Sequence, residues 1–198
     1  SIFLIFLAFI LPIVRYTWIS LHSLGVTTSF IAIPNNFSNW VRLFNDDRFW
    51  IDAIQTVRFT SVSVFFEIIL AISIAIILNG KFKHRNIIRT LIILPWALPT
   101  TVMALGWRWI YNSPYGLIHR IISLVGFDNI NILADPKITW LAGVLADTWK
   151  TTPFISIILL AGLQTIPQDI YEAYKLEGGS NFNSFFNMTL PLIEPYLL

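Results

Sequence analysis

Four ionisable side chains stand inside strongly apolar runs of this chain: Arg58, Glu67, Asp147 and Lys150. In hydrocarbon each is costly, so each is expected to face protein or a water-filled path. Asp147 and Lys150 are three positions apart, on one face of a helix, and can pair with each other. The other reading is that they line a route for a polar solute. Trp149 between them and Phe154 just beyond can stack on the apolar face of a sugar, or can simply pack. Catalysis is a poorer fit. Gly80-Lys81 is followed by Phe82, and no earlier glycine stands at the spacing of a phosphate-binding loop, so ATP hydrolysis is not expected of this chain. His22, His84 and His119 are scattered without metal-ligand spacing. Serines near histidines lack an orienting carboxylate. No catalytic residue, metal or cofactor is assigned.

One polar stretch carries more local order than a plain connection needs. It runs over 163–191, between two apolar segments. Thr165 is suited to cap a helix, with Gln168 three residues on and Pro167 in the first turn. Ile166, Ile170 and Tyr174 form one apolar stripe. Gly178-Gly179 is expected to end that helix. Ser180 is suited to cap a second helix carrying Phe182, Phe185 and Phe186, which Pro191 is expected to end. The prediction is two short helices over 166–190 with a tight glycine elbow between them.

The elements around it are membrane spans. The chain has 198 residues, 56% hydrophobic and 12% charged, where a soluble domain carries about 25% charge. The apolar runs place spans near 2–19, 53–78, 87–110 and 138–163, with a further one beginning at 192–198. The fold class is all-α and polytopic, one transmembrane domain over 1–198. Pro95, Pro99 and Pro153 are expected to break helices at mid-depth and shape a cavity. Residues near 20–52 read as an extramembrane loop with short amphipathic elements around Trp40 and Leu43. The loop with Lys81, Lys83, Arg85 and Arg89 has no acid, and the positive-inside rule puts it in the cytoplasm. By alternation the insert is also cytoplasmic, while 21–52 and 111–137 lie outside. A basic loop of this size fixes topology; nucleic acid is not expected as a partner. The chain opens apolar at Ser1 and stops at Leu198 as another apolar segment begins, so a piece of a longer protein is expected.

Glu172-Ala173-Tyr174, Gly178 and Met188-Thr189-Leu190-Pro191 stand at the spacing of a known loop. The pattern resembles the "EAA" loop in permease subunits of binding-protein-dependent ABC importers. Glu172, Ala173, Gly178, Leu190 and Pro191 are in register. Tyr174 and Gly179 replace residues that are usually or often Ala, Met188 replaces Ile, and Glu177 stands where Asp is frequent. Arg89 to Pro99, Trp107 to Tyr111, Tyr115 to Leu117 and Trp149 to Pro167 are similar to carbohydrate-type permeases. The resemblance implies a MetI-like fold of about six spans, four to five of them here. It implies an inner (plasma) membrane location and a sugar or related polyol or glycerol-phosphate as cargo. The implied partners are a cytoplasmic ATPase dimer, a second permease subunit and an extracytoplasmic solute-binding protein. ATPase contact then falls to Glu172, Ala173, Tyr174, Gly178, Gly179, Leu190 and Pro191, with Tyr174, Phe185 and Phe186 as anchors. Arg58, Glu67, Asp147, Trp149 and Lys150 are the candidates for the solute path. A secondary transporter driven by an ion gradient is the alternative, with Glu67 or Asp147 carrying the proton.

Overall fold

A computed structural model describes residues 2–25, 31–80, 82–126 and 130–196. They divide into two compact units, Ser1–Arg58 and Phe59–Leu198.

The first unit opens with α1 (Ile2–Ile5), a π turn over Phe6–Ile10 and α2 (Leu11–Ser20). Pro12 sits at the start of α2. A proline ring crowds the carbonyl four residues back. Here the turn before it opens, and the Leu11 amide donates to the Phe6 carbonyl, five residues back. The polar stretch then folds onto the end of α2. Strands β1 (His22–Ser23) and β2 (Ile33–Pro34) pair antiparallel, with His22 opposite Pro34. The amphipathic element expected around Trp40 and Leu43 is α3 (Ser38–Phe44). Its Asn39 amide donates to the carbonyls of Ser20 at 3.0 Å and His22 at 3.1 Å. Helix α4 (Asp47–Asn79) begins in this unit and continues into the second.

Among the described residues two helices are long and apolar enough to cross a membrane, α4 and α8 (Pro136–Thr165). At 33 residues, α4 extends about 50 Å, more than the ~30 Å of bilayer hydrocarbon. Helices α5 (Arg85–Ala97) and α6 (Thr100–Tyr111) are together apolar enough for a further span but meet at 91°, the shape of a broken span or a re-entrant loop. The break falls at Leu98-Pro99, both extended, with ψ of 136° and 133°. Leu98 is held extended because it precedes proline. The other two prolines do not break anything, contrary to the sequence expectation. Pro95 lies inside α5, and Pro153 is buried inside α8, which continues past it to Thr165.

The second unit has two cores. In the first, Ala71, Ala75 and Leu78 of α4 join Leu159, Leu160 and Leu163 of α8 and Ile193 of α11 (Leu190–Ile193). Alanines one turn apart let helices approach closely where no hydrophobic force pulls them together. The second core holds described parts of the 111–137 connection, 111–126 and 130–137, including α7 (Leu117–Leu124). Tyr111, Ile132 and Ala142 are buried there, and the Tyr111 hydroxyl donates to the Ala142 carbonyl at 2.9 Å. Asp135 caps α8, accepting from the amides of Lys137 and Ile138 at 2.8 and 3.3 Å. Asp128 of that connection and Lys81 of the basic loop lie outside the described residues, as do Leu197 and Leu198 at the end of the expected fifth span. Arg89 of the basic loop reaches back to the Leu78 carbonyl at 3.3 Å, closing the turn after α4.

Candidate functional site

The polar insert is rooted at both ends in one place: Leu163 before it and Ile193 after it belong to the same buried core. Helix α9 (Gln168–Leu176) leads out, and α10 (Asn181–Ser184), a π turn over Phe185–Thr189 and α11 lead back. The predicted elbow is therefore present, with two corrections at its edges. Thr165 is the last residue of α8 and not the cap of α9. Its hydroxyl donates back to the Gly162 carbonyl at 2.7 Å, a bond open to a threonine at a helix end. Pro167 takes the cap position of α9, with Asp169 in the first turn. Pro191 does not end the second helix either. The chain opens a π turn ahead of it, the Leu190 amide donating to the Phe185 carbonyl, and continues helically. Pro12 is accommodated in the same way.

The glycine pair does two jobs. Gly178 adopts φ +83°, the left-handed conformation that costs a residue with a Cβ about 1–2 kcal/mol. The amide of Gly178 donates to the Lys175 carbonyl and that of Gly179 to the Tyr174 carbonyl, both at 3.0 Å. This crossed pair satisfies two carbonyls that the end of α9 leaves open. Ser180 then caps α10 as expected, its hydroxyl accepting from the Asn183 amide at 3.2 Å.

The stripe Ile166, Ile170, Tyr174 faces inward, together with Tyr171, all half-buried. The Tyr171 hydroxyl shares a hydrogen bond with Thr189 Oγ1 at 3.1 Å, and the Tyr174 hydroxyl accepts from Asn187 Nδ2 at 3.0 Å. The outward face carries Glu172, Ala173 and Leu176, with Leu176 90% exposed. Phe182 is 72% exposed on the far side of the elbow, its ring 5.0 Å from Phe186. Phe185 is half-buried, as is Leu190, while Pro191 is exposed. Of the three expected anchors, Phe186 is exposed and Tyr174 is turned in. Leu176 and Phe182 are the large apolar groups the sequence reading left out of the contact set. Leu176 is one turn beyond Glu172, a spacing that was available to find it. A cleft of about 740 Å³ separates the insert from the span ends, lined among others by Asn79, Leu163, Tyr171, Phe182 and Thr189.

The intramembrane candidates part company. Lys150 directs its ammonium to backbone rather than to Asp147. It donates to the Leu98 carbonyl at 2.9 Å and lies 3.5 Å from the Trp96 carbonyl, where α5 ends. A cation there neutralises the negative end of the helix and satisfies carbonyls exposed by the break. One turn on, Phe154 stacks on Trp96, with ring centroids 4.9 Å apart. Lys150 and Phe154 thus staple α8 to the bend. Asp147 lines a cleft of about 390 Å³ with Phe59, Met103, Trp107, Arg108 and Tyr111. Arg108, which was not among the expected solute-path residues, lines this cleft as its second charged group. Trp149 packs its edge on Trp107, with centroids 5.6 Å apart. Glu67 is 4% exposed, in a buried stripe with Ser63, Ala71 and Ala75. Arg58 ends the first unit, on the membrane helix α4.

Comparison with known proteins agrees with this geometry. The profile of a family described as "binding-protein-dependent transport system inner membrane component" matches residues 67–198. The trehalose/maltose transport system permease protein MalF of Thermococcus litoralis is 44% identical over 193 residues, covering 96% of this chain and 64% of that protein. The sulfoquinovosyl glycerol transport system permease protein SmoG of Agrobacterium fabrum is 31% identical over 195 residues, covering 98% and 63%. The chain thus spans less than two thirds of these relatives. Among solved structures, a chain of a bacterial alginate ABC transporter, in complex with an alginate pentasaccharide-bound periplasmic protein, matches with a TM-score of 0.79. It shares 22% identity, covering 97% of this chain and 64% of that one.

Proposed function

This chain belongs to the binding-protein-dependent transport system inner membrane components, and from that premise we propose that it forms one membrane half of an ABC importer and couples to a separate ATPase through its 163–191 elbow. It is an all-α, multi-pass inner-membrane protein. In this reading ATP is hydrolysed on a cytoplasmic ATPase dimer, and this chain supplies the moving wall of the path. Its transmembrane domain covers 1–198 and pairs with a second permease subunit. A solute-binding protein outside delivers the cargo. The names of the relatives, trehalose/maltose and sulfoquinovosyl glycerol permeases, support a sugar or sugar-like polyol as that cargo.

The observation that carries the coupling role is the elbow's face. Glu172, Ala173 and Leu176 are exposed together on one side of a short helix whose inner side is tied down, an arrangement that supports the helix-in-groove mode of docking. ATP-driven closure of the ATPase pair would displace this helix, and the core at Leu163 and Ile193 would pass the movement to α8 and α11. Asp147, with Arg108 and the aromatic side chains of its cleft, is the part of the path best suited to a hydroxylated solute.

Co-purification of the complete permease with an ABC ATPase pair encoded beside it tests the reading. Glu172→Lys and Gly178→Trp are expected to abolish retention while the permease remains folded in the membrane. Uptake should continue when the proton gradient is collapsed and stop when the ATPase is inactivated. A complex that survives both substitutions, or uptake that follows the gradient, would overturn it.

A further inference from the structure

We propose that Tyr174, Gly179 and Asn187 form an interlock that fixes the angle between α9 and the helix returning from the elbow, which makes Tyr174 a positioning residue and not part of the docking face. The proposal rests on the coupling role of the 163–191 segment.

Two adjacent glycines are required here for different reasons. Gly178 is set by its positive φ. Gly179 is set by a neighbour: a Cβ at this position would overlap the Tyr174 ring, with the ring's Cζ only 2.8 Å away. Contacts that short do not persist, so either the ring or the backbone has to move. The ring is not free to move. Its hydroxyl accepts from the Asn187 side chain at 3.0 Å, across the elbow and inside the π turn. Its backbone carbonyl accepts from the Gly179 amide at 3.0 Å. One turn earlier on the same face, Tyr171 makes a parallel tie to Thr189, which is 7% exposed. Two phenols three residues apart therefore grip two side chains two residues apart. The outgoing helix and the π turn are joined on both sides of the corner. Such a corner transmits a push as a rigid piece, whereas a loose one would absorb it in backbone rotation.

The interlock predicts suppression between substitutions. In the complete transporter, Gly179→Ala is expected to lower ATPase retention or coupled uptake about tenfold, since a methyl group is forced against the ring. In a Tyr174→Ala background the same Gly179→Ala change should have little further effect, because the ring is gone. Tyr174→Phe keeps the ring but loses the Asn187 tie, so the ring can yield and the Gly179→Ala defect should be relieved in part, less than in the Tyr174→Ala background. Amide hydrogen exchange over 177–180 in the full-length permease gives a readout independent of the ATPase. Tyr174→Phe should speed exchange there, as Asn187→Ala should, and the two together should do no more than either alone. If Gly179→Ala is equally harmful with and without the ring, or exchange is unmoved by Tyr174→Phe, the interlock is wrong. If the unaltered permease fails to retain the ATPase while the exchange result holds, the coupling role falls and the interlock stands.

Discussion

Lys150 shows what a charge inside a span can be for. Its place in an apolar run, beside Asp147, reads as half of an ion pair or as a solute contact. The structure sends it to the carbonyls at the end of α5. Lys150→Met is therefore expected to destabilise by about 1.5–3 kcal/mol, the range for a hydrogen bond to a charged group. Lys150→Arg should recover most of it, read as the melting temperature of the purified permease. If Lys150 served the solute alone, Met would lower affinity and leave melting unchanged. The same scale shows why some of the site was legible and some was not. Ser180 and Gly178 act on backbone within three residues, so local chemistry alone points to them. Asn187 meets Tyr174 across the corner, and Lys150 meets Leu98 from another helix; no local rule connects those pairs. Tyr174 and Gly179 were read separately, as two departures from the family pattern. They are one contact.

Among elements, proline is the instructive case. Prolines in or beside the apolar helices differ in effect with what surrounds them. Pro99 follows an extended residue and turns the chain through 91°. Pro12 and Pro191 follow π turns and leave the helix running. Pro95 and Pro153 sit inside unbroken helices. The sequence reveals that a proline removes a donor, but not whether the neighbouring carbonyl finds a substitute. The long apolar helices behind 53–78 and 138–163 were legible because apolar length is a property of the segment itself. The break at Pro99 was expected from the proline itself; that Pro95 and Pro153 leave their helices running was not, because it depends on what surrounds them. Element-scale packing gives a second prediction. Ala75 is fully buried between α4 and its neighbours. Ala75→Leu should cost about 1–3 kcal/mol through overpacking, and Ala75→Gly should lower stability less, as measured by thermal unfolding in detergent. On the elbow's outer face the expectation reverses. Leu176→Asp should leave melting unchanged and remove ATPase retention, because that side chain touches little of its own chain.

For the whole molecule, the topology is open to direct measurement. The chain has no cysteine, so a single introduced thiol reports one side of the membrane. Leu176 and Leu124 are 90% and 88% exposed, on the two connections expected to face opposite sides. Leu176→Cys should react with a membrane-impermeant maleimide only from the cytoplasmic side, and Leu124→Cys only from outside. Labelling of both from one side would overturn the alternation read from the basic loop at 80–89.

The insert leaves from Leu163 and comes home at Ile193, two residues of one buried patch. A segment with both feet on the same stone behaves as an exchangeable cassette. Its tip can be rewritten to suit another motor without disturbing the frame beneath, provided the footings keep their shape. Grafting the corresponding stretch of a relative between these two residues should yield a folded permease with the donor's choice of ATPase. Under the proposed coupling role, rewriting 164–192 would change the choice of ATPase and leave the spans untouched.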